Sequence, residues 1–93
     1  MGFHLMQPCF PLGKVYATPG AMALGIDLAA YLRRHHCGDW GDELCEEDKL
    51  ANEAALRDRT RLLSCYRTPA GDRLYVITEW DRSMTTVLLP LEY

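Results

Sequence analysis

Between residues 18 and 60 the apolar side chains of this chain recur every three or four positions; beyond residue 60 they alternate with polar ones. The first rhythm predicts helices and the second predicts strands. Residues 12–17 alternate weakly, Val15 and Ala17 against Lys14 and Tyr16, and read as a short strand. Thr18-Pro19 then supplies an N-cap residue and a proline at the first helical position, and Gly25 closes the short helix that follows. Asp27 caps a second helix in which Leu28, Tyr31, Leu32 and His35 share one face, and Gly38 stops it. A third helix is expected from Asp42 or Cys45 to Asp58, burying Leu50, Ala51, Ala54 and Ala55, with Glu53 and Arg57 paired on its wet side.

Segments 61–68, 73–80 and 83–89 are rich in β-branched, aromatic and aliphatic residues, and turn residues at 69–72 and 81–82 separate them. They predict an antiparallel meander. Its middle strand sets Leu74, Val76, Thr78 and Trp80 on one face and Tyr75, Ile77 and Glu79 on the other, so both faces are substantially apolar. Helices cover one face; the other is expected to meet a second copy, as a homodimer, or a partner. The fold class is α+β: one short N-terminal strand, two or three helices, then a three-stranded antiparallel β-meander. Residues 12–93 form that single domain, and residues 1–11, with Pro8 and Pro11 and no clear period, a loosely ordered arm.

An apolar content of 48% and a charged content of 25% are those of a soluble globular domain. The formal charge of −3 argues against direct nucleic-acid binding, because phosphate contacts need clustered Lys and Arg and the ten present are scattered. No run reaches the ~18 apolar residues of a membrane span and no signal peptide is evident, so the expected compartment is the cytoplasm. There Cys9, Cys37, Cys45 and Cys65 read as reduced thiols.

Chemistry concentrates in residues 38–48, where Asp39, Asp42, Glu43, Glu46, Glu47 and Asp48 crowd around Trp40, itself flanked by Gly38 and Gly41. The spacing is not that of a calcium-binding loop, which sets acids at alternate positions before a glycine. One reading makes Asp39, Trp40, Asp42, Glu43, Glu46 and Glu47 a protein-contact surface, with Trp40 as anchor and the acids governing association rate and partner choice. In the other, Trp40 plugs the core between the second and third helices. The acids then simply start a helix, whose dipole favours each by roughly 0.3–1 kcal/mol.

No catalytic set accompanies them. His35-His36-Cys37 with Cys45 offers zinc-ligand atoms, but adjacent helical histidines point about 100° apart and the spacing lacks the usual ligand pairs. Tyr66, Arg67, Arg73, Tyr75, Glu79, Asp81 and Arg82 invite a nuclease reading, yet Glu79-Trp80-Asp81 lacks the lysine that a metal-dependent nuclease places beyond its second acid. The order of strand, helices and meander is also similar to the RelE- and ParE-like toxins of toxin–antitoxin systems; that alternative would have the first strand join the meander. Toxins that cut messenger RNA are strongly basic, and this chain is acidic. No catalytic residue, cofactor or metal is expected.

Several short stretches resemble, in order, a family of small proteins of bacterial plasmids and integrative conjugative elements. They are Leu12-Gly13-Lys14-Val15, Ala17-Thr18-Pro19-Gly20-Ala21, Gly38-Asp39-Trp40-Gly41-Asp42, Glu47-Asp48 with Asn52 and Ala55-Leu56, and Arg61-Leu62-Leu63-Ser64 with Tyr66. Val76-Ile77-Thr78-Glu79, Asp81-Arg82-Ser83, Leu88-Leu89-Pro90 and Glu92-Tyr93 complete the set. Members carry labels such as "plasmid-related protein" or "type I restriction endonuclease subunit M". The second label implies a Gly-rich S-adenosylmethionine loop and an Asn-Pro-Pro-aromatic motif, and this chain has neither. What the resemblance implies is a small acidic, non-enzymatic protein of a mobile element that acts by protein contact, against a host restriction or CRISPR complex.

Overall fold

The computed structural model of the protein describes residues 7–93. Among them the order is β1 (Lys14–Ala17), α1 (Pro19–Ala23), α2 (Leu28–His36), α3 (Glu46–Asp58), β2 (Leu62–Arg67), β3 (Arg73–Thr78), β4 (Met84–Leu88) and a short 3-10 helix (Pro90–Glu92). The α+β class and the meander are as expected. The sheet, however, has four strands in the order β1-β4-β3-β2, because β1 lies parallel to β4 with Val15 beside Thr85 and Ala17 beside Val87. A parallel neighbour needs a long connection, which the helices supply.

Thr18 caps α1 through its side chain, which accepts from the Ala21 amide, with Pro19 at the first helical position. Asp27 precedes α2 without making a side-chain cap bond. That helix ends in a Schellman turn: Gly38, at φ +84°, donates to the His35 carbonyl, and Asp39 donates to that of Arg34.

Helices α1 and α2 cover one face of the sheet, where Ala21, Leu28, Tyr31 and Leu32 pack on Tyr66, Leu74, Val76 and Val87. A second cluster joins Phe10, Trp40, Leu44, Ala55, Leu62 and Cys65. Phe10 belongs to the stretch expected to be a loose arm; it is buried edge-on to His35, and Cys9 donates its amide to the His36 carbonyl. Residues 1–6, the rest of that arm, lie outside the described residues.

Three further expectations are corrected. In α3 the inward residues are Asn52 and Ala55, whereas Leu50 and Ala51 are exposed. Helical phase explains this: at about 100° per residue, turning Asn52 to the sheet turns Leu50 away. Trp80 is not a strand residue, since β3 ends at Thr78, and its ring is exposed. The second face of β3 is not the open surface expected, because Ile77 is only 4% exposed and Tyr93 stands edge-on against Tyr75. No helix among the described residues is long and apolar enough to cross a membrane.

Candidate functional site

Residues 39–48 form a ledge running from the end of α2, past the outer edge of β2, to the start of α3. Its anchor points inward. Trp40 is 5% exposed, stacks on Phe10 at 6.2 Å between ring centres and donates its indole N–H to Glu53 Oε2 over 2.7 Å. The tryptophan of the expected contact surface is therefore a core residue, and Glu53 serves it rather than pairing with Arg57. A flat apolar ring between two glycines fills the gap that the turn leaves between α2 and β2.

The ledge is tied to β2 by its backbone. The Trp40 carbonyl accepts from the Cys65 amide at 3.0 Å, and the buried Tyr66 hydroxyl donates to the Asp39 carbonyl. Gly41 sits at φ +92°, and a Cβ there would lie 2.0 Å from the Cys65 carbonyl oxygen, so only glycine permits this approach.

The acids divide into two groups. Asp39 accepts from Arg34 Nε at 2.7 Å and from the Gly41 amide at 3.2 Å. Burial opposes its ionisation, but those bonds prevail and hold its carboxyl below the ordinary value. Glu43 meets Arg67 at 2.8 Å and Arg73 at 3.3 Å, and the Arg67 bond, the largest cause, lowers its carboxyl too. These two are structural clasps. Asp42, Glu46 and Glu47 stand exposed on the outer side; Glu46 reaches only Lys49, at 3.5 Å within the same helix. Glu46, Glu47 and Asp48 occupy the first turn of α3, whose N-cap is Cys45. The dipole reading of these acids and a contact role are compatible, since their side chains are exposed on the outer surface.

The residues weighed for catalysis are dispersed or engaged. His35 is buried between Ser64 and Thr78, with its ring nitrogens 2.6 Å and 2.9 Å from their hydroxyls. Burial, then the charges of His36 and Arg82, push its pKa down to about 3. Arg82 is inward as well, giving hydrogen bonds to the carbonyls of Ala55, Thr60 and Glu79. Burial raises the Cys9 and Cys65 thiols, the reverse of nucleophile activation. Among the described residues no group of three or more His, Cys, Asp or Glu is placed to hold a metal ion.

The sequence drew notice to Asn52 only within a resemblance and to Arg82 only as a nuclease candidate; in the structure they finish the sheet edge and the end of α3. A polar residue at the inward phase of α3 was the available signal for Asn52. Comparison of the chain with protein-family models, with curated proteins and with solved structures returns no match.

Proposed function

We propose that the protein is a non-enzymatic product of a bacterial mobile element that acts by protein contact in the cytoplasm, blocking a host defence complex of the restriction or CRISPR type. The observation that carries this reading is the ledge: Asp42, Glu46 and Glu47 face solvent on a turn held by Trp40 inside and by Cys65 at the sheet edge. Carboxylates on a rigid support meet a partner without first being ordered, which lowers the entropy cost of binding. Their complement is a Lys- and Arg-rich protein surface, such as one with which a defence nuclease holds nucleic acid. The mobile-element setting rests on the resemblance of residues 12–93.

The test is transfer of a plasmid into restricting or CRISPR-immune hosts, with and without this gene. Protection should be seen with the wild type and be lost in the Asp42→Asn/Glu46→Gln/Glu47→Gln variant, which stays folded by circular dichroism. Protection that survives neutralisation, or no protection in either host, would overturn the reading.

A toxin-like component is the second reading, and β1 in the sheet beside β4 favours it. Against it, Tyr66 and Arg82 are buried and both Arg67 and Arg73 are held by Glu43. Growth arrest on induction, with RNA cleavage by the pure protein, would promote it over the first.

A further inference from the structure

The two edges of the sheet are finished differently. Along β2, the Asn52 side chain takes both the amide and the carbonyl of Leu63, and the Trp40 carbonyl takes the Cys65 amide. Along β1, no described residue does the same; its one partner strand among the described residues is β4. Lys14 and Thr18 give their amides to Ser83 and Val87 of the β4 side. By the two-residue period of a strand, the amides and carbonyls of Val15 and Ala17 therefore point outward. Val15 is 46% exposed and Tyr16 50%. A short strand with free backbone groups and apolar side chains is a template for another strand.

We propose that a second copy of this chain pairs antiparallel along β1, joining two four-stranded sheets into one of eight strands about a two-fold axis at Tyr16. Residues with outward backbone groups pair in hydrogen-bonded rings, so Val15 faces the partner's Ala17 and Ala17 the partner's Val15. Tyr16 then stands opposite the partner's Tyr16 in the closer, non-bonded kind of pair, with Cα atoms about 4.5 Å apart. Lys14 falls opposite the partner's Thr18.

Charge selects this register. Glu92 is held at Thr18: one carboxylate oxygen accepts from the Thr18 hydroxyl, and the other lies 3.0 Å from the Gly20 amide. Each Lys14 thus arrives at the partner's Glu92, and the two-fold axis makes the contact twice. Lys14 is exposed, and no ion pair involves it among the described residues. A register centred on Val15 instead would set Lys14 against the partner's Tyr16 and leave Glu92 without a cation. Pairing along β1 leaves the acidic ledge, at the opposite edge of the sheet, free for a different partner.

Sedimentation velocity over a concentration series tests this. The wild type should dimerise, and Val15→Pro should be monomeric with an unchanged circular-dichroism spectrum, since the Val15 amide makes no bond to β4. Lys14→Glu should weaken the dimer by about tenfold or more. With Cys9, Cys37 and Cys45 changed to Ser, Tyr16→Cys should form a disulfide-linked dimer on air oxidation, because a Cα separation of about 4.5 Å is within disulfide range. Met22→Cys on α1 should not. A wild type that stays monomeric to millimolar concentration, or a dimer that Val15→Pro leaves intact, would overturn the proposal.

Discussion

His35 Nε2 donates to the hydroxyl of Thr78, 2.9 Å away, and the direction of that bond is set further along a buried chain of hydroxyls. Thr85 gives its single hydroxyl proton to the Leu12 carbonyl at 2.7 Å. The Thr78 hydroxyl must then donate to Thr85 Oγ1, also 2.7 Å away, and its oxygen accepts from the imidazole. Nδ1 carries no proton and accepts from Ser64. A neutral imidazole with its proton on Nε2 thus joins α2, β2, β3, β4 and the chain leading into β1.

That arrangement predicts acid sensitivity. An unfolded histidine takes its second proton near pH 6.5, whereas folded His35 does so only near 3. Between those values the unfolded state binds more protons, so stability falls as pH falls, by up to about 1.4 kcal/mol per unit. The contribution is fully present above the unfolded value. Urea denaturation at pH 7, 6 and 5 should show falling midpoints, before most carboxylates titrate, and His35→Gln should flatten that fall. Constant wild-type midpoints over the range would mean that the folded imidazole takes up its proton as readily as the unfolded one.

The chain's two tryptophans should behave oppositely. In Trp80→Phe, the remaining Trp40 should emit at short wavelength and resist acrylamide, since it is buried against Phe10. In Trp40→Phe the remaining Trp80 is 64% exposed and should be quenched freely. Trp40→Phe keeps the stacking and loses one hydrogen bond, a cost of about 1–2 kcal/mol; Trp40→Ala removes the plug and should cost about 3–5 kcal/mol. Free quenching of Trp40 in the first variant would return it to the surface.

Much of this was legible in the sequence because local rules decided it. The Thr18-Pro19 start of α1, the stop at Gly38 and the 69–72 and 81–82 turns depend on neighbouring residues, and the alternation beyond residue 60 gave the meander. Long-range choices were not legible. Nothing local to Lys14–Ala17 says that it pairs with β4 rather than standing apart, and the phase of α3 followed from an edge strand whose open groups Asn52 completes. At the ledge, the sequence showed acids around a tryptophan with both readings open. Only placement beside Arg34, Arg67 and Arg73 separates the clasps Asp39 and Glu43 from the outward Asp42, Glu46 and Glu47.

Asn52 acts as a piece of strand. Its Nδ2 donates to the Leu63 carbonyl at 2.6 Å and its Oδ1 accepts from the Leu63 amide at 3.1 Å. Asn52→Leu keeps the volume and strands both backbone groups, at a cost of about 2–4 kcal/mol. Exchange of the Leu63 amide with solvent should accelerate with it. Asn52→Asp should also destabilise, because a carboxylate faces the Leu63 carbonyl where an amide donated. Wild-type protection of Leu63 in Asn52→Leu would show that another group covers this edge.

Arg82 combines strain and bonding in one residue, and the two are separable. Its φ of +60° is left-handed, which costs a non-glycine residue roughly 1 kcal/mol or more. Its guanidinium is buried and donates to the Ala55 carbonyl at 2.9 Å and the Thr60 carbonyl at 2.6 Å, capping the end of α3 against the β3–β4 turn. Burial, followed by the charge of Arg59, lowers its pKa, and the planar fork stays charged because it can serve several acceptors together. Arg82→Lys keeps the charge but not the fork and should be less stable than wild type. Arg82→Ala loses the bonds and keeps the strain, so it should be the least stable. Arg82→Gly loses the bonds but relieves the backbone, and should recover about 1 kcal/mol relative to Arg82→Ala while remaining below wild type. Thermal melts of the three give the order directly. Arg82→Gly at or above wild-type stability would mean that backbone strain outweighs the carbonyl bonds, and that the guanidinium is tolerated there rather than required.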